Sequence, residues 1–308
     1  MIVLVGIPSE SPMRMVATEL DALGHPYVYW NQRHVLRNHL DFEVTAGALD
    51  GILTVDGTEI SLEQISGVYV RLMDEAQLPE LRALPYQSPE RKNSRAQHEA
   101  LMTWLDLSAA RIANRPAANA SNGSKPWQTA MISAASKNLQ TPDTLISNHP
   151  DSVQAFKEKH GELIYKSASG FRSIVQTLST LDQARLHAIC WCPVQFQRRV
   201  AGRDVRVHVV GDEVFATRII SNAVDYRYAA RDGLAAELEV FELPATLSDA
   251  CRSVSRALDL PFAGIDLRIE DDGNTWCFEV NPCPGFSYYE AHTGQPIAAA
   301  LARYLAGF

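Results

Sequence analysis

The sequence predicts a mixed α/β (α+β) protein in which an N-terminal α/β domain precedes a larger region with antiparallel hairpins. A short apolar strand at residues 2–5 is followed by a helical pattern of apolar residues and by a second strand at residues 27–30. Two Asp-Gly pairs, Asp56-Gly57 and Asp272-Gly273, stand between alternating apolar runs and predict hairpins. The content of 46% hydrophobic and 21% charged residues in 308 residues indicates a folded protein of two or three domains.

A change in composition predicts where the N-terminal domain ends. Residues 86–110 are rich in Glu, Arg, Ala and Leu and predict one long helix. The chain then changes to RIANRPAANASNGSKP, which we interpret as a linker because it consists mostly of small and polar residues. We therefore expect the first domain to span residues 1–112. Near the other end, a helical stripe in residues 296–308 predicts a helix that packs against a core.

Charge and apolar pattern exclude several classes of partner. The chain has 28 Lys+Arg against 36 Asp+Glu, a net charge of −8, which is the wrong sign for a protein that coats nucleic acid. No apolar run approaches the roughly 18 to 20 residues that span a bilayer, and the start, MIVLVGIPSE, has no basic n-region. We expect a cytoplasmic protein that binds neither nucleic acid nor membrane. Its five scattered cysteines are expected to be reduced thiols.

The hairpin around Asp272-Gly273 carries the most informative pattern. A turn centred on this pair sets the register of the two strands, and in that register apolar residues face apolar residues. The predicted pairs are Ile265 with Val280, Leu267 with Phe278, and Ile269 with Trp276.

The same register places Asp266 opposite Glu279 on the other face, with Asn281 two residues further along. Like charges in this position repel unless they are compensated, and two carboxylates with an amide oxygen suit Mg²⁺. We predict a magnesium site here, with a nucleotide nearby because Mg²⁺ is often shared with phosphates. The repulsion leads us to expect that neutralising either carboxylate does not harm folding. A solvated polar face is the alternative.

Two other segments suit a phosphate-bearing ligand. Lys166 ends a predicted strand and is followed by Ser167-Ala168-Ser169-Gly170, where small residues would let backbone N–H groups approach phosphate. The alternative is a simple turn with an exposed lysine. A second predicted hairpin, DVRVHVVGDEVFATRI, places Asp204, Arg206 and His208 on one polar face. We interpret His208 as a packing or hydrogen-bonding residue.

These features, in this order, resemble the ATP-grasp superfamily. The resemblance rests on Lys125, on Lys166 with its small-residue loop, on the Gln-x-x-Val-x-Gly-x-Asp-x-Arg run from Gln197 to Arg206, and on Asp266…Glu279-Val-Asn281-Pro. It covers about residues 111–308, and the branch that the chain resembles most contains the ribosomal-protein glutamate ligase, the graspetide (microviridin-type) ligases and glutathione-synthetase-like enzymes. The resemblance implies an ATP-grasp fold with an N-terminal α/β pre-ATP-grasp domain, a central subdomain at 113–196 and a C-terminal subdomain with the metal site at 197–308.

The resemblance also implies a role for each motif residue. The phosphates of ATP would be bound by Lys125, Lys166 and Ser169. The adenine would lie beside a hinge strand that runs from Gln197 to Val200, and the ribose would be held by Asp204. The γ-phosphate and the acyl group would lie near the catalytic residues Arg206 and Arg227. One or two Mg²⁺ ions would be held by Asp266, Glu279 and Asn281. The chain departs from its relatives at Arg198, where a Glu often follows the hinge Gln, and in having a single glycine in the loop after Lys166.

The activity implied by the resemblance is that of an ATP- and Mg²⁺-dependent carboxylate–amine ligase, which forms an acyl phosphate on a peptide or amino-acid substrate and releases ADP. Phosphoryl transfer needs positioning and charge neutralisation more than a protein nucleophile, which agrees with the lysines, arginines and carboxylates above. Two alternatives stay open, a phosphotransferase acting on a small molecule and a nucleotide-binding regulatory pseudo-enzyme. A homo-oligomer also stays open. Arg71 either binds a substrate carboxylate or forms a surface salt bridge.

Overall fold

A computed structural model describes residues 1–46, 48–168, 175–221 and 237–308 of the chain. The predicted Ser169 and Arg227 lie outside these residues. Within the described ranges, the strands form four sheets, and helices cover them. The mixed α/β class predicted from the sequence is confirmed.

The N-terminal domain is built on a four-stranded parallel sheet. The strands of this sheet are β1 (Ile2–Gly6), β2 (Tyr27–Asn31), β6 (Gly67–Arg71) and β7 (Arg111–Ala113), in the spatial order β2-β1-β6-β7. An antiparallel three-stranded sheet follows β2 in the chain and consists of β3 (His39–Thr45), β4 (Ala48–Val55) and β5 (Thr58–Ser61). The helices of this domain are α1 (Ser11–Ala22), the short α2 (Pro79–Arg82) and α3 (Pro89–Leu107).

Local sequence explains the main elements of this domain. Strand β1 is buried along its whole length, as expected for a parallel strand covered on both faces. The β4–β5 hairpin turns at Asp56 and Gly57, which both have positive φ, as the predicted Asp-Gly turn requires. The predicted long helix is observed as α3, which begins after a Ser88 cap whose hydroxyl accepts a hydrogen bond from the Arg91 amide.

The segment that we interpreted as a linker is structured. Its first residues form β7, and its middle forms helix α4 (Pro116–Asn122). Proline at the first position of α4 favours helix initiation, and the Asn122 side chain donates to Leu258 O at 3.2 Å and so attaches the helix end to the C-terminal region. The linker interpretation was wrong because this polar side chain finds a buried partner far along the chain.

The central sheet is small and its neighbouring strands are antiparallel. Its strands are β8 (Thr144–Ser147), β9 (Leu163–Ser167), β10 (Gln176–Thr177) and β11 (Val194–Arg198), in the order β10-β9-β11-β8. The helices in this part of the chain are α5 (Lys125–Ala135), α6 (Pro150–His160) and α7 (Thr180–Ala184). Phe196, Leu163 and Val153 of α6 lie in one small apolar core.

The C-terminal sheet has five antiparallel strands. The strands are β12 (Arg203–Val210), β13 (Glu213–Ile220), β14 (Glu237–Val240), β15 (Phe262–Ile269) and β16 (Thr275–Asn281), in the order β14-β13-β12-β15-β16. The helices of this part are α8 (Ala245–Ala257), α9 (Ser287–Thr293) and α10 (Ile297–Ala306). One face of this sheet packs on α5 and α8, and the opposite face carries polar side chains.

Helix α10 joins the C-terminal region to the N-terminal domain. Ile297, Leu301 and Leu305 are fully buried and lie in the same core as Leu4 and Met13, which confirms the predicted core-packing helix. No helix within the described ranges has both the length and the apolar character needed to cross a membrane.

Four of the five cysteines are predicted to fall into two reactivity classes. Cys251 and Cys277 are buried, and burial raises the pKa of Cys251 to about 12 and that of Cys277 well above its ordinary value. Both thiols therefore stay protonated at pH 8 and should react with iodoacetamide only after unfolding, because the thiolate is the nucleophile. The exposed Cys190 and Cys192 should react in the native protein. Peptide mass spectrometry before and after denaturation measures this, and native labelling of Cys251 or Cys277 would contradict the packing.

Candidate functional site

The β15–β16 hairpin brings the predicted metal ligands together. Asp266 lies directly opposite Glu279, and Asn281 lies opposite Gly264, as the sequence predicted. The register changes next to Asp266, so that Leu267 pairs with Cys277 and Ile269 with Thr275. The predicted pairs of Leu267 with Phe278 and of Ile269 with Trp276 were therefore wrong.

A bulge explains why part of the register was right and part was wrong. The Glu270 amide donates to Asn274 O at 2.9 Å, so the turn contains three residues and not two. With a three-residue turn and no bulge in the strands, Phe278 would lie opposite Asp266. Phe278 instead has no cross-strand partner in the ladder, and this extra residue returns Glu279 to its place opposite Asp266.

Asp266 forms an ion pair across the sheet with Arg206 on β12. The guanidinium Nη1 lies 2.7 Å from Asp266 Oδ1, and the side chains are 6% and 26% exposed respectively. Space for the guanidinium depends on Gly264, because a Cβ there would lie 2.6 Å from Arg206 Cζ and from Pro284 Cβ. Arg206 therefore compensates one of the two carboxylates. Neutralising Asp266 would leave this guanidinium without its partner. The ion pair therefore argues against the expectation that either carboxylate can be neutralised without harm to folding.

The remaining oxygen atoms fit a hard dication. The Glu279 carboxylate has no hydrogen bond or ion pair within the described part of the chain. Asn281 Nδ2 lies 3.3 Å from Asp266 Oδ2, and a half-turn of this amide would present its oxygen to the same place. Two carboxylates and one guanidinium leave one negative charge at this hairpin, which favours a cation bound by oxygen atoms.

A buried glutamine on helix α5 fixes the backbone between two of these residues. Gln128 Oε1 accepts a hydrogen bond from the Val280 amide at 2.9 Å, and Gln128 Nε2 donates to Val280 O at 2.7 Å. Because β16 is an edge strand, these backbone groups point away from β15 and need a partner outside the sheet. Gln128 therefore positions Glu279 and Asn281. We did not predict it, since an isolated glutamine in a helix gives no sequence signal.

A second buried amide, Asn114, holds both ends of the hairpin. Its oxygen accepts from the Phe262 amide at 3.0 Å, and its nitrogen donates to Phe262 O at 2.6 Å and to Pro282 O. Asn114 directly follows β7 of the N-terminal sheet. The position of the hairpin is therefore tied to the N-terminal domain.

Arg71, at the end of β6, provides another contact between the domains. Its Nε lies 3.1 Å from Glu10 Oε2, and its Nη1 donates to Pro284 O at 3.2 Å. Its side chain is 17% exposed, so this is a half-buried link and not a simple surface salt bridge. The pairing joins the N-terminal sheet to the loop that follows the predicted metal ligands.

Lys166 is positioned on the central sheet. It pairs with Gln195 across β9 and β11 and is buried, whereas an exposed lysine at the strand end was the simple alternative. Gln197 lies on the same face of β11 as Gln195, and its Nε2 donates to Thr144 Oγ1 at 3.0 Å. The side-chain oxygens of both glutamines are buried without a hydrogen bond from any described residue. These strands therefore carry two unsatisfied acceptors as well as the Lys166 ammonium group.

Arg268 connects two residues predicted to bind the nucleoside. Its Nε donates to Asp204 Oδ1 at 2.8 Å, and its Nη1 donates to Val200 O at 2.9 Å. Arg268 was missed, although the alternation of β15 places it on the same face as Asp266. Arg198, where relatives often have Glu, lies over the Trp276 ring at 5.1 Å from its centroid.

His208 lies beside Arg206 on β12, and its Nε2 is 3.5 Å from Arg206 Nε. It is fully buried, its Nε2 lies 3.4 Å from Gly285 O, and its ring packs against Tyr289. Burial, and then the nearby Arg206 charge, lower the pKa of His208 well below its ordinary value. The ring is therefore neutral at physiological pH. Its packing agrees with our interpretation of this residue from the sequence.

Comparison with known proteins identifies the family. Residues 127–305 match the model of the RimK-like ATP-grasp domain. The chain belongs to this family. N-acetylaspartylglutamate synthase A of Mus musculus is 27% identical over 216 residues, which cover 66% of this chain and 56% of that protein. Beta-citrylglutamate synthase B of Homo sapiens is 28% identical over 218 residues, or 67% of this chain and 55% of that protein. The chain thus spans little more than half the length of these curated relatives.

Solved ATP-grasp ligases share the fold over nearly the whole chain. PsnB complexed with a minimal precursor has a TM-score of 0.80 and 25% identity, covering 99% of this chain and 98% of PsnB. PsnB has also been solved with a minimal precursor, Mg and ADP. The macrocyclase MdnC of Microcystis aeruginosa MRC, bound with its precursor peptide MdnA, has a TM-score of 0.79 at 20% identity, with coverages of 100% and 99%. The predicted ATP-grasp fold is confirmed.

The two carboxylates should differ sharply in their effect on stability. Asp266→Asn removes the charge that pairs with the buried Arg206 and should lower the free energy of unfolding by about 3 kcal/mol. Glu279→Gln removes a charge that has no such partner and should change the free energy of unfolding by less than about 0.5 kcal/mol. Urea unfolding without nucleotide or metal measures both values. Equal losses in the two variants would show that the ion pair is not specific to Asp266.

The Gln128 contacts should also be visible in unfolding. Gln128→Met preserves side-chain length but leaves the Val280 N–H and C=O without their partner, which should cost about 2 to 4 kcal/mol. Gln154→Met on the exposed face of α6 is the matched control and should cost less than about 0.5 kcal/mol. Urea unfolding measures both variants, and similar values for the two would mean that Gln128 does not hold the edge strand.

Proposed function

We propose that the protein is an ADP-forming ATP-grasp ligase that joins a carboxylate to an amine on a peptide substrate. The observation that carries the proposal is the hairpin on which Asp266, Glu279 and Asn281 share one face, in a chain of the RimK-like ATP-grasp family. In the proposed reaction, a substrate carboxylate oxygen takes the γ-phosphoryl group and ADP leaves. The amine nitrogen then attacks the acyl carbon, the C–O bond to phosphate breaks, and the nitrogen loses a proton to solvent.

We assign Mg²⁺ to Asp266, Glu279 and Asn281, and when bound it would neutralise charge on the phosphates. The residues that form the hairpin or contact it have distinct tasks. Arg206 holds Asp266 in place, and Glu279 presents a carboxylate that has no ion-pair partner among the described residues. Gln128 fixes the peptide groups between the ligands.

The proposed ATP site lies between the central and C-terminal sheets. Lys166 and Lys125, the first residue of α5, would supply ammonium groups to the phosphates. Gln197 and Val200 would face the adenine, and Asp204 the ribose. The ion pair of Asp204 with Arg268 supports this by fixing the carboxylate at the start of β12. Ser169 and Arg227 keep their predicted roles near the phosphates and the acyl group.

Two observations favour a peptide over a free amino acid as the substrate. PsnB, which was solved with a minimal precursor, matches 99% of this chain, including the N-terminal domain. Because the N-terminal domain contacts the loop after the metal ligands through Arg71, it is suitably placed to affect substrate binding.

The function is tested by incubating the full chain with MgATP and pools of peptides that contain Glu or Asp together with Lys. We expect ADP and phosphate, and a peptide product that has lost one water for each bond formed. Hydroxylamine should trap the acyl phosphate as a hydroxamate. Glu279→Gln, which should fold normally, is expected to lose at least 99% of turnover, on the order of the loss from removing one transition-state charge contact.

Each alternative gives a different result in the same assay. ADP release with a stably phosphorylated product and no need for an amine would indicate a phosphotransferase. Binding of ATP without turnover on any pool would indicate a regulatory pseudo-enzyme. AMP as the main nucleotide product would refute the acyl-phosphate route, and near-normal turnover of Glu279→Gln would refute the assigned metal site.

A further inference from the structure

Arg268 on β15 contacts three different groups at once. Its Nε and Nη2 lie 2.8 and 2.7 Å from the same oxygen, Asp204 Oδ1, and its Nη1 donates to Val200 O at 2.9 Å. Its Cζ lies over the Phe278 ring, 5.2 Å from the ring centroid. One guanidinium therefore joins a carboxylate, a backbone carbonyl and an aromatic ring.

The charges on β12 and β15 alternate along the strands as well as across them. Asp204 is directly opposite Arg268, and Arg206 is directly opposite Asp266. Each pair is an ion pair with a shortest N–O distance of 2.7 Å. The order of the charges reverses from one pair to the next, so that one carboxylate stands among the predicted metal ligands and the other at the predicted ribose position. Arg268 thus holds Asp204 as Arg206 holds Asp266.

Arg268 also holds the segment that connects the central sheet to the C-terminal sheet. Val200, whose carbonyl it binds, is 2% exposed and lies between β11 and β12. Two residues later, Gly202 passes so close to β15 that a Cβ there would lie 2.5 Å from Ile269 O. The connection between the sheets is therefore fixed to β15 at two neighbouring points.

The bulge at Phe278 provides the ring that faces this guanidinium. Phe278 is the extra residue that returns Glu279 to its place opposite Asp266. A guanidinium over an aromatic face is attracted to it, so the ring helps to fix the orientation of Arg268. The bulge thus contributes to both ends of the proposed site.

We propose that Arg268 is a positioning residue for nucleotide selection, which holds Asp204 where it recognises the ribose hydroxyls. The inference rests on the proposed function, which places the ribose beside Asp204. A carboxylate accepts hydrogen bonds from hydroxyl groups, and one that is already fixed loses less conformational freedom on binding. The Asp204 and Arg268 side chains are 27% and 22% exposed, so their ion pair is better shielded from water than a surface pair.

Arginine suits this task better than lysine. Its planar guanidinium makes several hydrogen bonds in a fixed geometry, whereas an ammonium group is a single charge on a flexible stem. A lysine at position 268 would keep the charge opposite Asp204 but could not reproduce the paired contacts to Asp204 Oδ1 together with the contact to Val200 O.

The test compares the affinities of the full chain for ADP and for 2′,3′-dideoxyADP, which lacks both ribose hydroxyls, by calorimetric titration in the same Mg²⁺ buffer. We expect the unaltered protein to bind ADP about tenfold more tightly or better. Arg268→Met should reduce this preference to less than about threefold, because Asp204 is no longer fixed. Arg268→Lys keeps the charge, should fold even if Arg268→Met does not, and should reduce the preference to about half or less.

Arg203→Met is the matched control. Arg203 precedes Asp204 on β12 but forms its ion pair with Asp271, and both of these side chains are largely exposed. This variant should keep the full preference for ADP. Asp204→Asn should lose the preference, and combining it with Arg268→Met should lose no more than Asp204→Asn alone. An ion pair that only stabilised the sheet would leave the preference unchanged in Arg268→Met and Arg268→Lys.

The outcomes separate this inference from the function on which it rests. An unchanged preference in both Arg268 variants, when Asp204→Asn has lost it, would overturn the role of Arg268 alone, as would an equal loss in Arg203→Met. Equal affinity of the unaltered protein for the two nucleotides, or no binding of either, would overturn the predicted ribose site and this proposal with it. Because no turnover is measured, a failed ligase assay beside an intact ribose preference would refute the ligase function only.

Discussion

The ion pair between Arg206 and Asp266 is the interaction on which the polar face of the C-terminal sheet depends. Two carboxylates opposite each other on neighbouring strands would repel, and burial of an unpaired guanidinium would be costly. The ion pair offsets both the repulsion between the carboxylates and the cost of burying the guanidinium. Gly264 leaves the space that the guanidinium needs. The pairing leaves Glu279 as the carboxylate that is open to a cation. The chain thus holds most of a charged site in place by itself.

Backbone anchors from other parts of the chain give this site its rigidity. Gln128 reaches the edge strand from α5, Asn114 reaches both ends of the hairpin from the end of β7, and Arg71 reaches the following loop from β6. Every one of these contacts joins residues more than a hundred positions apart. Movement of the N-terminal domain relative to the C-terminal sheet would therefore be transmitted to the predicted metal ligands on the hairpin.

The sequence predicted the elements and the central pair of the site because both depend on local patterns. Alternating residues and an Asp-Gly turn were enough to place Asp266 opposite Glu279. They could not reveal the three-residue turn and the compensating bulge at Phe278, because the two errors of register cancel at Asp266 and Glu279. Arg268 and Gln128 were missed for another reason, since a side chain's partner depends on tertiary packing. The segment interpreted as a linker shows the same limit.

Helix α10 has a consequence for how the protein is made. Leu4 and Met13, near the start of the chain, share one core with Ile297, Leu301 and Leu305. During synthesis, the parallel sheet is therefore left with an uncovered apolar surface until α10 has emerged from the ribosome. The N-terminal domain, although it comes first, cannot complete its core before the ATP-grasp region has been translated. Until then, the nascent domain exposes leucine and methionine side chains. Such exposed apolar surface promotes aggregation and is what chaperones bind.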